Sequence, residues 1–280
     1  MKKLTRRDIL RMGLGVSALA FAPARLFAEA VCPKSIPIAL QLYSIRDIAG
    51  IDIAKTLETV AGLGYTGVEF TGTYGQDVKT LRKLLDNTGL KYCGGHTGKD
   101  EFEGDALKRQ IENFQVLGGR YLTVPWLNVE RSVDAWKKLA EWFNEKSVLC
   151  RKDGMFIGYH NHQHEFKDHD FDGVTGWEIL FQNTDDAVTH QLDIGHCAAA
   201  GYDPVKYIRM FPGRSRTVHV KEAGGGGVIG KGSVDWPAVI DAIAEVGGTQ
   251  WYIVETEERP DTYEDVDACI KNFSEMIDQC

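Results

Sequence analysis

The chain lacks a CxxC pair, a glycine-rich phosphate turn behind its first strand-like run, and any excess of basic charge. Each absence excludes something. The six cysteines (Cys32, Cys93, Cys150, Cys197, Cys269 and Cys280) show no regular spacing, which argues against a zinc ribbon or a disulfide framework. Cys93, Cys150 and Cys197 read as small buried apolar residues, and pairing of Cys269 or Cys280 stays open. The first strand-like run leads into Ser44-Ile45-Arg46-Asp47, where a dinucleotide-binding sheet would turn on glycine. The net charge is −8; residues 1–30 hold six basic and two acidic side chains, so the remainder carries −12. A surface that acidic repels phosphate backbones, so neither nucleic acid nor a membrane surface is an expected partner.

The first thirty residues read as a leader. Lys2, Lys3, Arg6, Arg7 and Arg11 precede the short apolar run Leu14–Ala22, and Ala28-Glu29-Ala30 fits a small-x-small cleavage pattern. Thr5-Arg6-Arg7-Asp8-Ile9-Leu10 resembles a twin-arginine export signal; the rival is an ordinary secretory leader with a chance arginine pair. The expectation is a signal peptide over residues 1–30, recognised by the twin-arginine export machinery, and a mature protein over 31–280 in the periplasm or outside the cell. Leu14–Ala22 is too short to persist as a spanning helix. Val31 before Cys32 makes a poor lipid-attachment site. No stable membrane anchor is therefore expected, and an oligomer is compatible with the sequence.

What is there is a repeated alternation. Strand-like runs fall at Ile36–Tyr43, Tyr65–Phe70, Leu90–Gly94, Tyr121–Trp126, Met155–His160, Val188–Asp193, Thr217–Val220 and Trp251–Glu255. They are short and rich in β-branched or aromatic residues, as buried parallel strands are. Amphipathic stretches lie between them, and several end at glycine just before the next strand, the usual helix stop. About 250 residues of β/α repeats without a composition break predict one domain, a (β/α)8 TIM barrel. An open doubly wound sheet is the alternative.

In such a barrel, groups at the C-terminal ends of the strands converge. In chain order these are Gln41 and Tyr43, Glu69, His96, Trp126, then His160, His162 and Glu165, Asp193 and His196, His219 and Lys221, and Glu255. Three imidazoles and a carboxylate fall within Tyr159–Phe166 alone. Acids and imidazoles at the ends of separate strands are what a metal site at a barrel mouth requires. His219 and Lys221 stand two apart, so both point inward on a continuing strand. Asp193 could simply cap the following helix. His169 and His190 lie off the strand ends and read as hydrogen-bonded core residues. The run Gly224–Ser233 has the spacing of a nucleotide loop, but Gly232 stands where Ser or Thr must ligate magnesium, so a mobile flap is the better reading. Among the tryptophans, Trp126 after Pro125 is the one placed to face a sugar ring.

The order of these motifs resembles the xylose-isomerase-like TIM-barrel superfamily of sugar isomerases and epimerases. The resemblance rests on HNHxxEF (from His160), LDxGH (from Leu192), HVKE (from His219) and VETE (from Val254), and spans roughly residues 36–278. It implies one divalent metal ion (Mn, Mg, Co or Zn) held by Glu165, Asp193, His219 and Glu255. Many members carry the first of these glutamates within strand five, where this chain has Tyr159 and His160, so either Glu165 or a histidine fills that position. It further implies a carbohydrate substrate; by their strand-end positions His162, His196, Lys221, His96, Trp126 and Glu69 are the groups expected to contact it, with His196 alternatively orienting a ligand and Glu69 alternatively pairing with an arginine such as Arg46.

Isomerising a sugar means removing a proton from carbon next to a carbonyl. A divalent ion on the carbonyl and adjacent hydroxyl stabilises the enediolate, and two carboxylates, here Glu165 and Glu255, remove and return the proton. The expectation is thus a metal-dependent isomerase or epimerase. Elimination or hydration of 3-keto-glycosides at the same metal site is the alternative, since export removes the enzyme from sugar phosphates. A non-catalytic sugar-binding barrel and a DNA-repair endonuclease are further readings; the charge of residues 31–280 opposes the last.

Overall fold

The computed structural model describes residues 31–257 and 262–279; the leader expected over residues 1–30, and Cys280, lie outside the described residues. Eight short parallel strands close on themselves: β1 (Ile38–Gln41), β2 (Gly67–Phe70), β3 (Lys91–His96), β4 (Tyr121–Val124), β5 (Phe156–His160), β8 (Thr189–Asp193), β9 (Thr217–Val220) and β10 (Trp251–Val254). The closing contact is β1 against β10. A two-stranded hairpin, β6 (Asp170–Phe171) with β7 (Val174–Thr175), sits between β5 and β8 and has no counterpart in the sequence reading. The (β/α)8 barrel is the architecture that the β/α alternation predicts. No described helix is long and apolar enough to cross a membrane.

The strands end earlier than their apolar runs. After Gln41 the chain turns into the short 3-10 helix Leu42–Ile45, started by the Gln41 side chain accepting from the Tyr43 amide at 3.1 Å. β4 stops at Val124 because Pro125 has no amide to give the ladder. The helices Val78–Thr88 and Gly104–Leu117 stop where Gly89 and Gly118 turn left-handed, at φ 78° and 87°.

Alternation along each strand sorts side chains to two sides. Leu40, Val68, Leu122, Ile157, Leu192, Val218 and Val254 face the helices and join one large core. Trp136, Trp177 and Trp236 are buried in it, which fits packing rather than sugar binding. Inside the barrel a small apolar plug of Ala39, Cys93 and Ile253 packs on Trp251. Toward the C-terminal ends the interior becomes polar: Gln41, Glu69, Gln191 and His219 are fully buried. Polar atoms buried that deeply need partners.

The segment expected to be a flap is instead gathered around one carboxylate. Glu222 accepts from the backbone amides of Ala223 (3.0 Å), Gly230 (2.8 Å) and Val234 (3.1 Å), and from the Trp236 indole (2.8 Å). The helix Tyr263–Ile277 pins it from outside through Asn272 to the Ile229 carbonyl, 2.8 Å.

Candidate metal centre at the barrel mouth

β8 and β9 set the frame. Their register places Asp193 beside His219, and β9 against β10 places His219 beside Ile253, two residues before Glu255. Asp193 ends β8 and begins the helix Ile194–Ala199, with Oδ1 accepting from the His196 amide at 2.6 Å. That helix starts hard against β9. A Cβ on Gly195 would lie 2.7 Å from the Lys221 carbonyl oxygen, so only glycine fits. Across the mouth, Asn161 ties β5 to β8. Its side chain accepts from the Asp193 amide (2.8 Å) and donates to the Asp193 carbonyl (3.1 Å). His160, one residue earlier, is thereby held at a fixed place relative to Asp193.

His219 is clamped between carboxylates. Nδ1 bonds Glu255 Oε2, and Nε2 bonds Glu69 Oε2 at 2.9 Å. Glu69 is itself fixed: Gln41 donates to Oε2 at 2.7 Å and Gln191 to Oε1 at 2.9 Å. His96 Nε2 lies 3.2 Å from Glu69 and 3.1 Å from Gln191 Oε1. Glu69 therefore faces imidazoles and amides rather than an open cavity. If His219 ligates a metal, a carboxylate so placed would fix the ring and its tautomer. Burial opposes charge on both partners. Even so, His96 and His219 hold the Glu69 carboxyl below the usual range, while Glu255 and Glu69 raise His219 to about 10.

Each of His160, Asp193, His219 and Glu255 offers a ligand atom, and these atoms all lie within 4.8 Å of one another. Two observations fit this set to a cation. Asp193 Oδ2 and His160 Nδ1 are buried and have no hydrogen-bond partner, although a buried lone pair left alone is costly. The capping role of Asp193 uses only Oδ1 and leaves Oδ2 free for ligation, with His219 Nδ1 3.9 Å away. Burial, then Glu255, raises the Asp193 carboxyl to about 6. Burial, then His219, keeps His160 neutral, well below the usual imidazole range. A cation would stabilise the Asp193 carboxylate and take up the lone pair of the neutral His160. Two carboxylates and two imidazoles suit a borderline divalent ion.

Glu165 does not join the set. The chain leaves β5 at His160 and winds into the one-turn helix His164–Lys167, which carries Glu165 into the wall of the barrel. There its Oε1 accepts from the Tyr159 hydroxyl at 2.7 Å and faces His164 Nε2 at 3.1 Å, while Oε2 accepts from the His162 amide at 2.8 Å. Of the two alternatives open for that ligand position, the geometry groups the histidine, His160, with the other three.

Toward solvent the rings continue. His162 and His196 pack with tilted rings, centroids 4.7 Å apart, and burial above all lowers each to about 3. Lys221 does point inward: Nζ lies 3.1 Å from His196 Nε2, 3.8 Å from Glu255 and 2.8 Å from Glu257. Burial and then the charge of Glu255 raise Glu257 to about 7. Glu257 is the site residue that the sequence reading passed over. Its signal was present in VETE, where Glu255 and Glu257 stand two apart and share a side. Trp126 is 55% exposed on the loop after β4, its ring 6.0 Å from that of His164.

A family model for the xylose isomerase-like TIM barrel matches residues 57–273. The chain belongs to this family. Within the xylose isomerase-like barrels, the chain is 24% identical to an inosose dehydratase of Geobacillus kaustophilus, over 83% of this chain and 90% of that protein. Among solved structures it is similar to a sugar phosphate isomerase/epimerase of Parabacteroides distasonis, with TM-score 0.72, 25% identity, and 85% of this chain and 93% of that one covered. A structure of the IolI protein with a bound zinc shares the fold at TM-score 0.68 and 15% identity, over 87% and 99% of the two chains. The two family relatives compared in sequence and in structure are both enzymes, one a dehydratase and one an isomerase or epimerase by name.

Proposed function

We propose that this protein is a metal-dependent lyase or hydratase of cyclic keto-polyols and keto-glycosides. It takes a proton from carbon next to a carbonyl, the neighbouring C–O bond breaks, and the departing oxygen receives a proton; hydration is the same path reversed. One observation carries this reading over epimerisation. Two-base epimerisation needs carboxylates on both faces of the carbon, and Glu165, the second one expected, is locked in the wall by Tyr159 and the His162 amide. The dehydratase relative points the same way.

His160, Asp193, His219 and Glu255 would hold the ion, which when bound supplies Lewis-acid polarisation of a carbonyl. Glu255 is the proposed base. Despite burial, Lys221 and His219 hold its carboxyl well below the usual carboxylate range, so it stands ionised. Lys221 and Glu257 form the proposed proton source. Lys221 keeps its proton against the cost of burial because Glu255, Asp193 and Glu257 surround it, and Glu257 sits near neutrality, where a carboxyl passes protons best. Glu165 is proposed as a positioning residue that shapes the His160–His164 turn.

Export belongs to the same proposal, because a protein carried past the membrane meets free or glycosidic sugars; a mature chain starting at Val31, read by mass, would bear it out. The reaction is tested by proton NMR in D2O with the zinc-loaded protein and a panel of 3-keto-glycosides and ketocyclitols. Release of water or aglycone is expected. Deuterium exchange or epimer formation without release would sink the lyase reading.

A further inference from the structure

We propose that the barrel mouth holds a second cation position, built from the imidazoles of His160, His162 and His196 and suited to Zn2+, Co2+ or Ni2+. Their ligand nitrogens lie within 4.8 Å of one another. The rings are packed rather than scattered: centroids of His160 and His162 are 5.1 Å apart, those of His162 and His196 4.7 Å, and those of His160 and His196 6.2 Å. His160 Nδ1 and His162 Nδ1 are both shut off from water with no hydrogen-bond partner, and His160 is only 2% exposed. Two adjacent imidazoles with idle nitrogens are costly in a core, and in the tautomer that puts the lone pair on Nδ1 each offers a donor to a cation.

The backbone fixes the arrangement. His160 closes β5, Asn161 locks that strand end to Asp193, the Glu165 carboxylate holds the His162 amide, and His196 is set by the helix that Asp193 caps. The charged groups facing the triad are Lys221, Glu255 and His219; the Lys221 ammonium lies 3.1 Å from His196 Nε2, 2.8 Å from Glu257 and 3.8 Å from Glu255.

A neutral imidazole has one lone pair to give, so His160 serves one ion at a time. The inner position retains Asp193, His219 and Glu255 without it. Filling both positions therefore gives three protein ligands to each ion and leaves room on each for substrate oxygens. The chemistry of the two differs. Carboxylates and one imidazole tolerate magnesium or manganese, whereas three nitrogens select a borderline ion.

The inference goes beyond the lyase proposal and is tested without turnover. Full-length protein is stripped with a chelator, titrated with zinc chloride alone, desalted, and its zinc counted by mass spectrometry. Two zinc ions per chain are expected, one of them displaced by excess magnesium or manganese. His162→Ala and His196→Ala are each expected to bind one, a twofold drop, with unchanged circular dichroism. Should His162→Ala not fold, His162→Gln keeps the ring's space and tests the same loss. A single zinc in the native protein, two in both variants, or none in either would overturn the second position. Two zinc ions in a protein that eliminates nothing would sink the lyase reading and leave this one standing.

Discussion

Two fully buried histidines stand on one strand and its neighbour, and they are not alike. His190 points out of the barrel into the helices. Its Nε2 accepts from the Trp177 indole at 2.8 Å, its Nδ1 meets the Ser215 hydroxyl at 2.7 Å, and Phe181 and Phe211 enclose it. His160 points into the mouth with Nδ1 unpartnered. Burial pushes both well below the usual imidazole range, so neither burial nor neutrality separates them. Partnership does. His190 spends both nitrogens on the protein, whereas His160 keeps Nδ1 back.

The sharpest way to break this comparison is at the mouth. Glu255→Gln removes the proposed base and one donor while keeping the side chain's shape. Turnover should fall by about a thousandfold or more, about 4 kcal/mol of transition-state stabilisation, with circular dichroism unchanged. Retained activity would remove Glu255 from the chemistry. One step back, Glu69→Gln keeps the ring contact but loses the charge behind His219. Zinc affinity should weaken about 10–100-fold, the usual cost of losing such a partner. A zinc Kd that does not move would make Glu69 plain core.

Much of this was legible in the sequence, and for physical reasons. Strand ends carry the chemistry of a parallel barrel, so a period-two strand stopping in a polar group marks a site residue; Asp193, His219, Lys221 and Glu255 announced themselves that way. His169 and His190, off those positions, are paired core residues, with His169 accepting from the Trp136 indole at 3.1 Å. What failed was the geometry past a strand end. Glu165 lies five residues after His160, and the turn that carries it away is held by its own bonds to the Tyr159 hydroxyl and the His162 amide, which no strand or helix periodicity displays. The Gly224–Ser233 loop failed for the same reason: its glycines advertised freedom, and the Glu222 carboxylate took it away.

The core side of the comparison predicts the opposite phenotype. His190→Ala leaves the Trp177 indole and Ser215 without their partner and opens a void among aromatic rings. Stability should drop by about 2–4 kcal/mol, read as a lower midpoint in urea, with the zinc count unchanged. Loss of zinc at unchanged stability would erase the distinction drawn above.

Acidity sharpens the mouth further. His219 holds its proton up to about pH 10 and Asp193 up to about 6, so below those values a cation competes with a proton for each. Between pH 6 and 10 one proton is displaced from His219, and zinc affinity should climb about tenfold per pH unit. Below 6 the second proton at Asp193 steepens the climb. A flat profile across 6–9 would mean that no proton leaves His219 when zinc binds, which removes His219 from the ligand set.

The smallest effect is expected at the rim. Trp126 contributes almost nothing to the core, since over half of it is exposed, and it touches the site only through the His164 ring. A flat aromatic face beside a row of imidazoles can stack on a sugar ring or an aglycone, an interaction of about 0.5–1.5 kcal/mol. Trp126→Ala should therefore raise KM for keto-glycosides by about 2–10-fold, leave kcat alone and shift stability by under about 0.5 kcal/mol. Because the ring lies beyond His164, on the solvent side of the donor set, a substrate without an aglycone should not feel the change. An equal rise in KM for ketocyclitols and keto-glycosides would place Trp126 against the reacting ring itself rather than beside the leaving group.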